Sequence, residues 1–178
     1  MREPRLPQGH IQVYTGDGKG KTTCALGLAL RAVGQGFRVM MIQFLKTPDT
    51  GENQAAKLLA PLFTMRSFGR PGFPRLTDPD PQTRRLAQEA FDLARRTILE
   101  GEYDLVILDE INLILAYDLV PLTEMLQILR QRPAHVEVVM TGRGAPAKLV
   151  EAADLVTEMR PVKHYFSAGV KGRRGIEW

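Results

Sequence analysis

The chain has 178 residues, 44% of them hydrophobic and 25% charged, a balance that predicts one soluble globular domain with a sizeable core. No apolar run approaches the roughly 20 residues of a membrane-spanning helix, and the charged start of the chain is unlike a signal peptide. The single cysteine, Cys24, excludes a disulfide framework and predicts a cytoplasmic location, while the net charge of +4 fits either nucleic acid or a polyanionic nucleotide.

Apolar runs alternate with segments of helical periodicity along the whole chain. In chain order the pattern predicts strand 11–15, helix 23–33, strand 37–45, helix 52–59, strand 63–68, helix 82–100, strand 105–108, helix 121–130, strand 136–141, helix 146–152 and strand 155–159. Residues 69–81 are rich in proline and glycine and predict a loop long enough to be a functional lid. The alternation predicts an α/β fold, with a mostly parallel central sheet of about six strands flanked by helices in one domain, residues 1–178.

A glycine-rich loop, TGDGKGKT at residues 15–22, follows the first predicted strand. Its glycines allow backbone amides to point toward phosphate oxygens, and the helix that follows offers its N-terminus to the same anion. Lys21 can contact terminal phosphates and the Thr22 hydroxyl can bind Mg²⁺. The usual pattern G-x-x-x-x-G-K-[ST] departs here only at Thr15. The loop predicts a nucleoside-triphosphate site.

A second polar group follows the predicted strand 105–108. Asp109 and Glu110 lie where the strands of an open parallel sheet end, which is where such sheets bind ligands. Carboxylates in this position can complete the coordination of Mg²⁺. Arg143, after another predicted strand, either contacts phosphate or belongs to a simple turn. The residues therefore predict a metal-assisted nucleotide site at one edge of the sheet.

An ordered set of motifs resembles the ATP:corrinoid adenosyltransferases of the bacterial cobalamin pathway. The motifs are residues 14–23, 31–36, 43–46, 108–110 with 116–118, 141–144, 160–164 and 168–171. They cover nearly the whole chain and include the family's altered first loop position, Thr15. Two departures concern the corrin side. Some members have a longer helix before the first strand, and many have Gly-Phe-Thr-Trp where residues 72–75 read Gly-Phe-Pro-Arg.

The resemblance implies an activity and a set of partners. The family transfers the 5′-deoxyadenosyl group of ATP to a Co(I) corrinoid and releases tripolyphosphate, in adenosylcobalamin biosynthesis or salvage. It implies a RecA-like P-loop fold, a homodimer, Mg²⁺ or Mn²⁺ as the cation, and cob(I)alamin or a cobinamide- or cobyrinate-type corrinoid as co-substrate. An electron-donor flavoprotein is the further partner implied, with no role for a membrane or nucleic acid.

The resemblance also implies roles for individual residues. Lys21 and Glu110 would act in catalysis, Thr22 and Glu110 would bind the metal with Asp109 in support, and Arg31 would lie near the nucleoside. Phe73, in the long loop, would either pin the loop to the core or, as the resemblance implies, press against the lower face of the corrin and exclude the axial ligand, which makes cobalt easier to reduce. The triphosphate would be held by Gly16, Asp17, Gly18, Lys19, Gly20, Lys21, Thr22 and Thr23.

Two other classes of function remain alternatives from the residues alone. A P-loop kinase or phosphohydrolase would need an acceptor or a positioned water at the terminal phosphate. A RecA-like module that uses nucleotide as a switch on nucleic acid would call for a basic stripe with interleaved aromatic residues, and only 7% of this chain is aromatic. Neither alternative accounts for the ordered motifs.

Overall fold

The structure is a computed structural model that describes residues 6–72 and 74–177. Its strands are β1 Ile11–Thr15, β2 Val39–Phe44, β3 Phe63–Phe68, β4 Leu105–Asp109, β5 Glu137–Thr141 and β6 Leu155–Glu158. Its helices are α1 Lys21–Gly34, α2 Gly51–Leu58, α3 Pro81–Glu100, α4 Ile111–Ala116, α5 Leu122–Gln131 and α6 Ala147–Ala152, with a 3₁₀ turn at Tyr165–Ala168. Strand and helix alternate as predicted.

The described strands form one six-stranded sheet in the order β3-β2-β4-β5-β1-β6. Every neighbouring pair is parallel, because each connection between successive strands is a crossover that contains at least one helix. The carboxyl ends of all the strands therefore lie at the same edge. The sheet confirms the predicted α/β fold.

The sheet is covered by helices on both faces. β2 is buried along its whole length, and its side chains alternate between the two faces. Met40 packs on one face in a cluster with Phe91 of α3. Met41 packs on the other with Ala25 and Ala29 of α1. Because these α1 side chains are small, the helix lies close to the sheet, and its N-terminus begins directly at the glycine-rich loop.

Element boundaries differ from the predicted ones in ways that affect the site. α1 begins at Lys21 rather than at residue 23, so Lys21 and Thr22 lie in its first turn. β2 is shorter than the predicted 37–45, because Leu45 adopts a left-handed φ of 61° and ends the strand. The short helix α4 was not predicted, since its six residues, apolar except for Asn112, lack an amphipathic pattern.

The edge strand β6 differs from the others, because all four of its residues are exposed. Leu155 and Val156 are 44% and 40% exposed, and Val162 and Phe166 in the segment that follows are more exposed still. Apolar surface is thus concentrated on this side of the molecule. Within the described residues, no helix combines the length and apolar character required to cross a membrane.

Candidate active site

The predicted site lies at the carboxyl edge of the sheet. The glycine-rich loop follows β1, Lys46 follows β2, Glu110 follows β4, and Thr141 ends β5. These strands are adjacent in the order β2-β4-β5-β1. Because all of them are parallel, segments that are far apart in sequence converge at one edge of the sheet.

The loop folds around the ammonium group of Lys21. Lys21 Nζ donates hydrogen bonds to the carbonyl oxygens of Gly16, at 2.6 Å, and Gly18, at 2.8 Å. Burial lowers the pKa of Lys21 from its ordinary value. Thr15, at the altered first position, accepts a hydrogen bond from the Ala145 amide at 3.3 Å through its hydroxyl. A glycine there could not make this link between the loop and the segment after β5.

The chain that leaves β6 packs against the loop. The Gly18 amide donates to the Met159 carbonyl oxygen at 2.7 Å, and the Met159 amide donates to the Thr15 carbonyl oxygen at 2.8 Å. Gly16 has a φ of 92°, and a Cβ at this position would overlap the Met159 backbone. The glycine is therefore required by packing as well as by access to a phosphate.

The Asp109 carboxylate is completely buried at the centre of this edge. Its Oδ1 accepts hydrogen bonds from the hydroxyls of Thr22, at 2.9 Å, and Thr141, at 2.6 Å. Its Oδ2 accepts from the Gln43 amide group at 3.1 Å and from the Lys46 ammonium at 2.7 Å. The donors come from α1, β5, β2 and the residues just after β2, so the fold rather than local sequence assembles them.

Glu110 lies beside Asp109 in a left-handed conformation with a φ of 65°. This conformation costs a residue other than glycine roughly 1–2 kcal/mol. The Glu110 amide donates to the Thr141 hydroxyl oxygen at 3.1 Å, which helps to fix the turn. Burial, and next the charge of Asp109, raise the pKa of Glu110, while the ammonium groups of Lys46 and Lys21 act in the opposite direction.

Lys46 belongs to the site, although in the sequence it was only part of the family motif at residues 43–46 and had no predicted role. Its ammonium donates to Asp109 and, at 3.1 Å, to the Thr22 hydroxyl oxygen. Burial alone would lower the pKa of Lys46, but the carboxylates of Asp109 and Glu110 outweigh it and raise that pKa. The sequence did contain a signal for Lys46. It is the first charged residue after the predicted buried strand 37–45 apart from Arg38 at its start, just as Asp109 is the first after the predicted strand 105–108.

Gln43 and Thr141 also lie in family motifs, 43–46 and 141–144, but no site role was predicted for them, because a single polar residue inside an apolar strand carries no periodic signal. The Gln43 carbonyl oxygen accepts hydrogen bonds from Asn53, at 3.0 Å, and Ser67, at 2.9 Å. Its amide nitrogen also lies 3.3 Å from a Glu52 oxygen. These contacts fix the orientation of the Gln43 amide so that its N–H group points at Asp109.

The oxygen atoms at this edge fit a hard divalent cation such as Mg²⁺. The Thr22 hydroxyl gives its hydrogen to Asp109, so its oxygen lone pairs face away from that carboxylate, and one of them accepts a hydrogen bond from Lys46. Glu110 supplies a second carboxylate next to Asp109. In the described ranges, this edge included, no three or more His, Cys, Asp or Glu side chains are grouped as a metal cluster.

Other predicted residues lie nearby without entering this network. Asp17 is 3.8 Å from the Arg143 guanidinium, so Arg143 does reach the phosphate loop. Lys19 donates to the Ile176 carbonyl oxygen at 3.2 Å and thus contacts the C-terminal segment. Thr23 is exposed in the first turn of α1.

Two predicted residues are not brought to the loop by the described structure. Arg31 is exposed in the last turn of α1, about 15 Å along the helix from its first residue at 1.5 Å per residue. Its predicted position near the nucleoside stays a prediction. Phe73 lies outside the described residues, and its predicted contact with the corrin also stays a prediction.

Comparison with solved structures supports the fold alone. The flagellar accessory protein FlaH from Methanocaldococcus jannaschii is similar to this chain with a TM-score of 0.58 and 14% identity. The similarity covers 86% of this chain and 72% of FlaH. It is consistent with the predicted P-loop architecture.

Sequence comparisons identify the family. The profile described as ATP:corrinoid adenosyltransferase BtuR/CobO/CobP matches residues 7–178. The corrinoid adenosyltransferase of Escherichia coli K12 is 42% identical over 171 residues, which cover 96% of this chain and 86% of that protein. CobA of Salmonella typhimurium LT2 is 40% identical with the same coverage, and the Pseudomonas aeruginosa enzyme is 36% identical over 100% of this chain and 88% of that protein. The chain therefore belongs to the ATP:corrinoid adenosyltransferase family, as its motifs predicted, and is a corrinoid adenosyltransferase.

Proposed function

We propose that the edge of the sheet around Lys21 and Asp109 binds the triphosphate of ATP with a divalent cation. The 5′-deoxyadenosyl group would pass from this site to the Co(I) centre of a corrinoid. The observation that carries the proposal is the convergence of the glycine-rich loop with two adjacent carboxylates, Asp109 and Glu110, in a chain of this family.

The reaction needs alignment and charge stabilisation more than proton transfer. Co(I) is itself the nucleophile and supplies the electron pair for the new bond to C5′ of the ribose. The bond from C5′ to the α-phosphate oxygen breaks, and its electron pair leaves on tripolyphosphate. No proton moves in this step. The protein has to hold C5′ in line with cobalt and stabilise the leaving anion.

Lys21 and the loop amides serve the leaving group. In the structure the Lys21 ammonium is directed inward onto the carbonyl oxygens of Gly16 and Gly18. Phosphate oxygens are stronger acceptors than these carbonyls, because an ionic acceptor forms shorter and stronger hydrogen bonds. We expect Lys21 to exchange the carbonyls for phosphate oxygens when ATP binds. The dipole of α1, which begins at Lys21, adds to the same stabilisation.

The cation would be Mg²⁺ or Mn²⁺, held by Thr22 and Glu110 with Asp109 in support. When bound, it would neutralise phosphate charge as a Lewis acid. Asp109 keeps the Thr22 hydroxyl oriented through the hydrogen bond at 2.9 Å. Glu110 follows β4 directly, and its left-handed conformation separates the strand from α4, which begins at Ile111.

The remaining partners are proposed on the resemblance together with surface features. A homodimer is supported by the exposed apolar side chains of β6 and of the segment after it, which a second copy could cover. A cytoplasmic location is supported by the single cysteine, Cys24. An electron-donor flavoprotein would generate Co(I), and Phe73 would assist by keeping the lower axial ligand away from cobalt.

One experiment tests the bond that breaks. The protein is incubated with MgATP and chemically reduced cob(I)alamin, while absorbance follows the corrinoid and phosphorus NMR follows the nucleotide. We expect adenosylcobalamin and tripolyphosphate in equal amounts, and no nucleotide consumption without the corrinoid. ADP with orthophosphate as the products would instead establish a kinase or phosphohydrolase.

A further inference from the structure

The Lys46 ammonium contacts oxygen atoms of the proposed cation site. Its ammonium lies 2.7 Å from Asp109 Oδ2 and 3.1 Å from the Thr22 hydroxyl oxygen. The Thr22 hydrogen is already donated to Asp109 Oδ1, so Lys46 is bonded to the lone pairs that a cation would use. A monovalent cation of the protein and a divalent cation from solution cannot both hold these oxygen atoms at bonding distance, because like charges repel.

The backbone around Lys46 is built to bring it there. Leu45 adopts a left-handed φ of 61°, which an apolar side chain rarely does, and its amide donates to the Phe68 carbonyl oxygen at 2.9 Å. A Cβ at Gly69 would overlap the backbone of Leu45 and Lys46. The turn after β2 is thus held against the end of β3 by a strained residue and a required glycine. Backbone strain of this kind persists only where the surrounding structure enforces it, and it is frequent at functional sites.

The Lys46 ammonium also compensates the charge of Asp109 when no metal is present. Asp109 is completely buried, and a buried carboxylate without a compensating cation is costly. The Lys46 side chain is 27% exposed, so it can swing toward solvent without disturbing the core. The pair therefore joins a fixed buried anion to a movable cation.

We propose that Lys46 is a positioning residue whose ammonium occupies the cation position between Thr22 and Asp109 in the metal-free enzyme and exchanges with the divalent cation when that cation binds. The exchange keeps Asp109 compensated at every stage and holds Thr22 ready for the metal. The inference rests on the proposed function only in taking Thr22 and Asp109 as neighbours of the bound cation.

The test measures Mn²⁺ binding directly, by the electron paramagnetic resonance signal of free Mn²⁺ in the nucleotide-free full-length protein. Lys46→Met removes the competing charge, so we expect its Kd for Mn²⁺ to fall about tenfold below that of the wild type. Lys46→Arg retains the charge and should stay within about threefold of the wild type. Lys57→Met, which changes an exposed lysine of α2, is the control for net charge and should bind as the wild type does.

A second readout separates exchange from a purely structural ion pair. Lys46→Met should lower the thermal unfolding midpoint of the metal-free protein, and saturating Mn²⁺ should restore it, because the metal replaces the missing ammonium beside Asp109. If Lys46→Met does not fold, Lys46→Gln, which keeps a donor for Asp109, should show the same tightening. Equal or weaker Mn²⁺ binding in the charge-removing variants, or no binding in any variant, overturns the proposal. Because the assay contains neither ATP nor corrinoid, its outcome is independent of whether the wild type transfers the adenosyl group.

Discussion

The two ends of β4 each have a buried aspartate, and their surroundings differ. Asp104 precedes the strand and accepts a hydrogen bond from the Arg38 backbone amide at 2.8 Å. Asp109 ends the strand, and its hydrogen bonds come from side chains, those of Thr22, Thr141, Gln43 and Lys46. A backbone donor is fixed by the sheet, whereas a side-chain donor can turn away. Asp109 can therefore exchange a partner for a ligand far more easily than Asp104 can.

Backbone amides are also donors to other acids at the amino end of the sheet. Glu137 accepts from the His10 amide at 2.5 Å and from the Gln12 side chain at 2.5 Å, and Asp154 accepts from the Ile11 amide at 2.7 Å. A cleft of about 260 Å³ lies at this end, lined largely by apolar side chains such as Leu28 and Phe37. Acids at the amino end thus tie strands together, while those at the carboxyl end face a polar site. The comparison leads to the predictions below, which begin with the largest expected effect on activity.

The largest effect is expected at the carboxyl end, from Lys21→Ala. The variant loses the ammonium that meets the phosphates, and losing one preorganised donor of this kind costs about a hundredfold to a thousandfold in rate. We expect kcat/KM for adenosylcobalamin formation to fall by at least that much, with an unchanged circular dichroism spectrum. Lys57→Ala, which changes an exposed lysine of α2, serves as the control. A loss of less than tenfold in Lys21→Ala would contradict the role of the loop.

The pair Asp109→Asn and Asp104→Asn tests the comparison itself. Asp109→Asn should lower kcat/KM about a hundredfold per folded molecule, because Thr22 and the metal lose a charged partner. Asp104→Asn should leave kcat/KM within about twofold and lower stability by about 1 kcal/mol, or about 2–4 °C in Tm for a chain of this size. Enzyme assays and thermal unfolding of both variants provide the measurement. If the two variants lost activity and stability to a similar extent, the two ends of β4 would not differ in the way proposed.

Glu110→Gln should have a smaller effect that depends on conditions. The amide keeps the shape of the side chain but binds Mg²⁺ more weakly, so we expect activity about tenfold lower at limiting Mg²⁺ and partly restored when Mg²⁺ is raised. Steady-state rates over a Mg²⁺ titration measure this. A Mg²⁺ dependence identical to that of the wild type would place Glu110 outside the metal shell.

The last two predictions concern the free energy of unfolding at two glycines. Gly69→Ala would force the Leu45–Lys46 backbone away from β3, and we expect a loss of about 2 kcal/mol in the free energy of unfolding. Gly27→Ala, inside α1 with nothing within 4 Å of its Cβ position, should instead stabilise the protein by about 0.5–1 kcal/mol. Urea unfolding of both variants distinguishes them. Stabilisation by Gly69→Ala would show that the turn bearing Lys46 is not held as tightly as inferred.

Much of the fold and part of the site could be predicted from sequence because their signals are local. Periodicity indicated the order of strands and helices, and the spacing of glycines with Lys21 and Thr22 indicated the phosphate loop. Asp109 and Glu110 were found because they follow a recognisable buried strand. The family resemblance connected these pieces and was confirmed by comparison. The individual roles of the site residues stay predictions.

Only the tertiary structure decided which side chains surround Asp109. Thr22, Gln43, Lys46 and Thr141 come from separate elements, and their meeting depends on the sheet order β3-β2-β4-β5-β1-β6. No local pattern encodes that order, since hydrophobic periodicity shows which face of an element is buried and not which element lies beside it. The left-handed turns at Leu45 and Glu110 were hidden for the same reason. Packing against neighbouring strands imposes them on residues that would not adopt them alone.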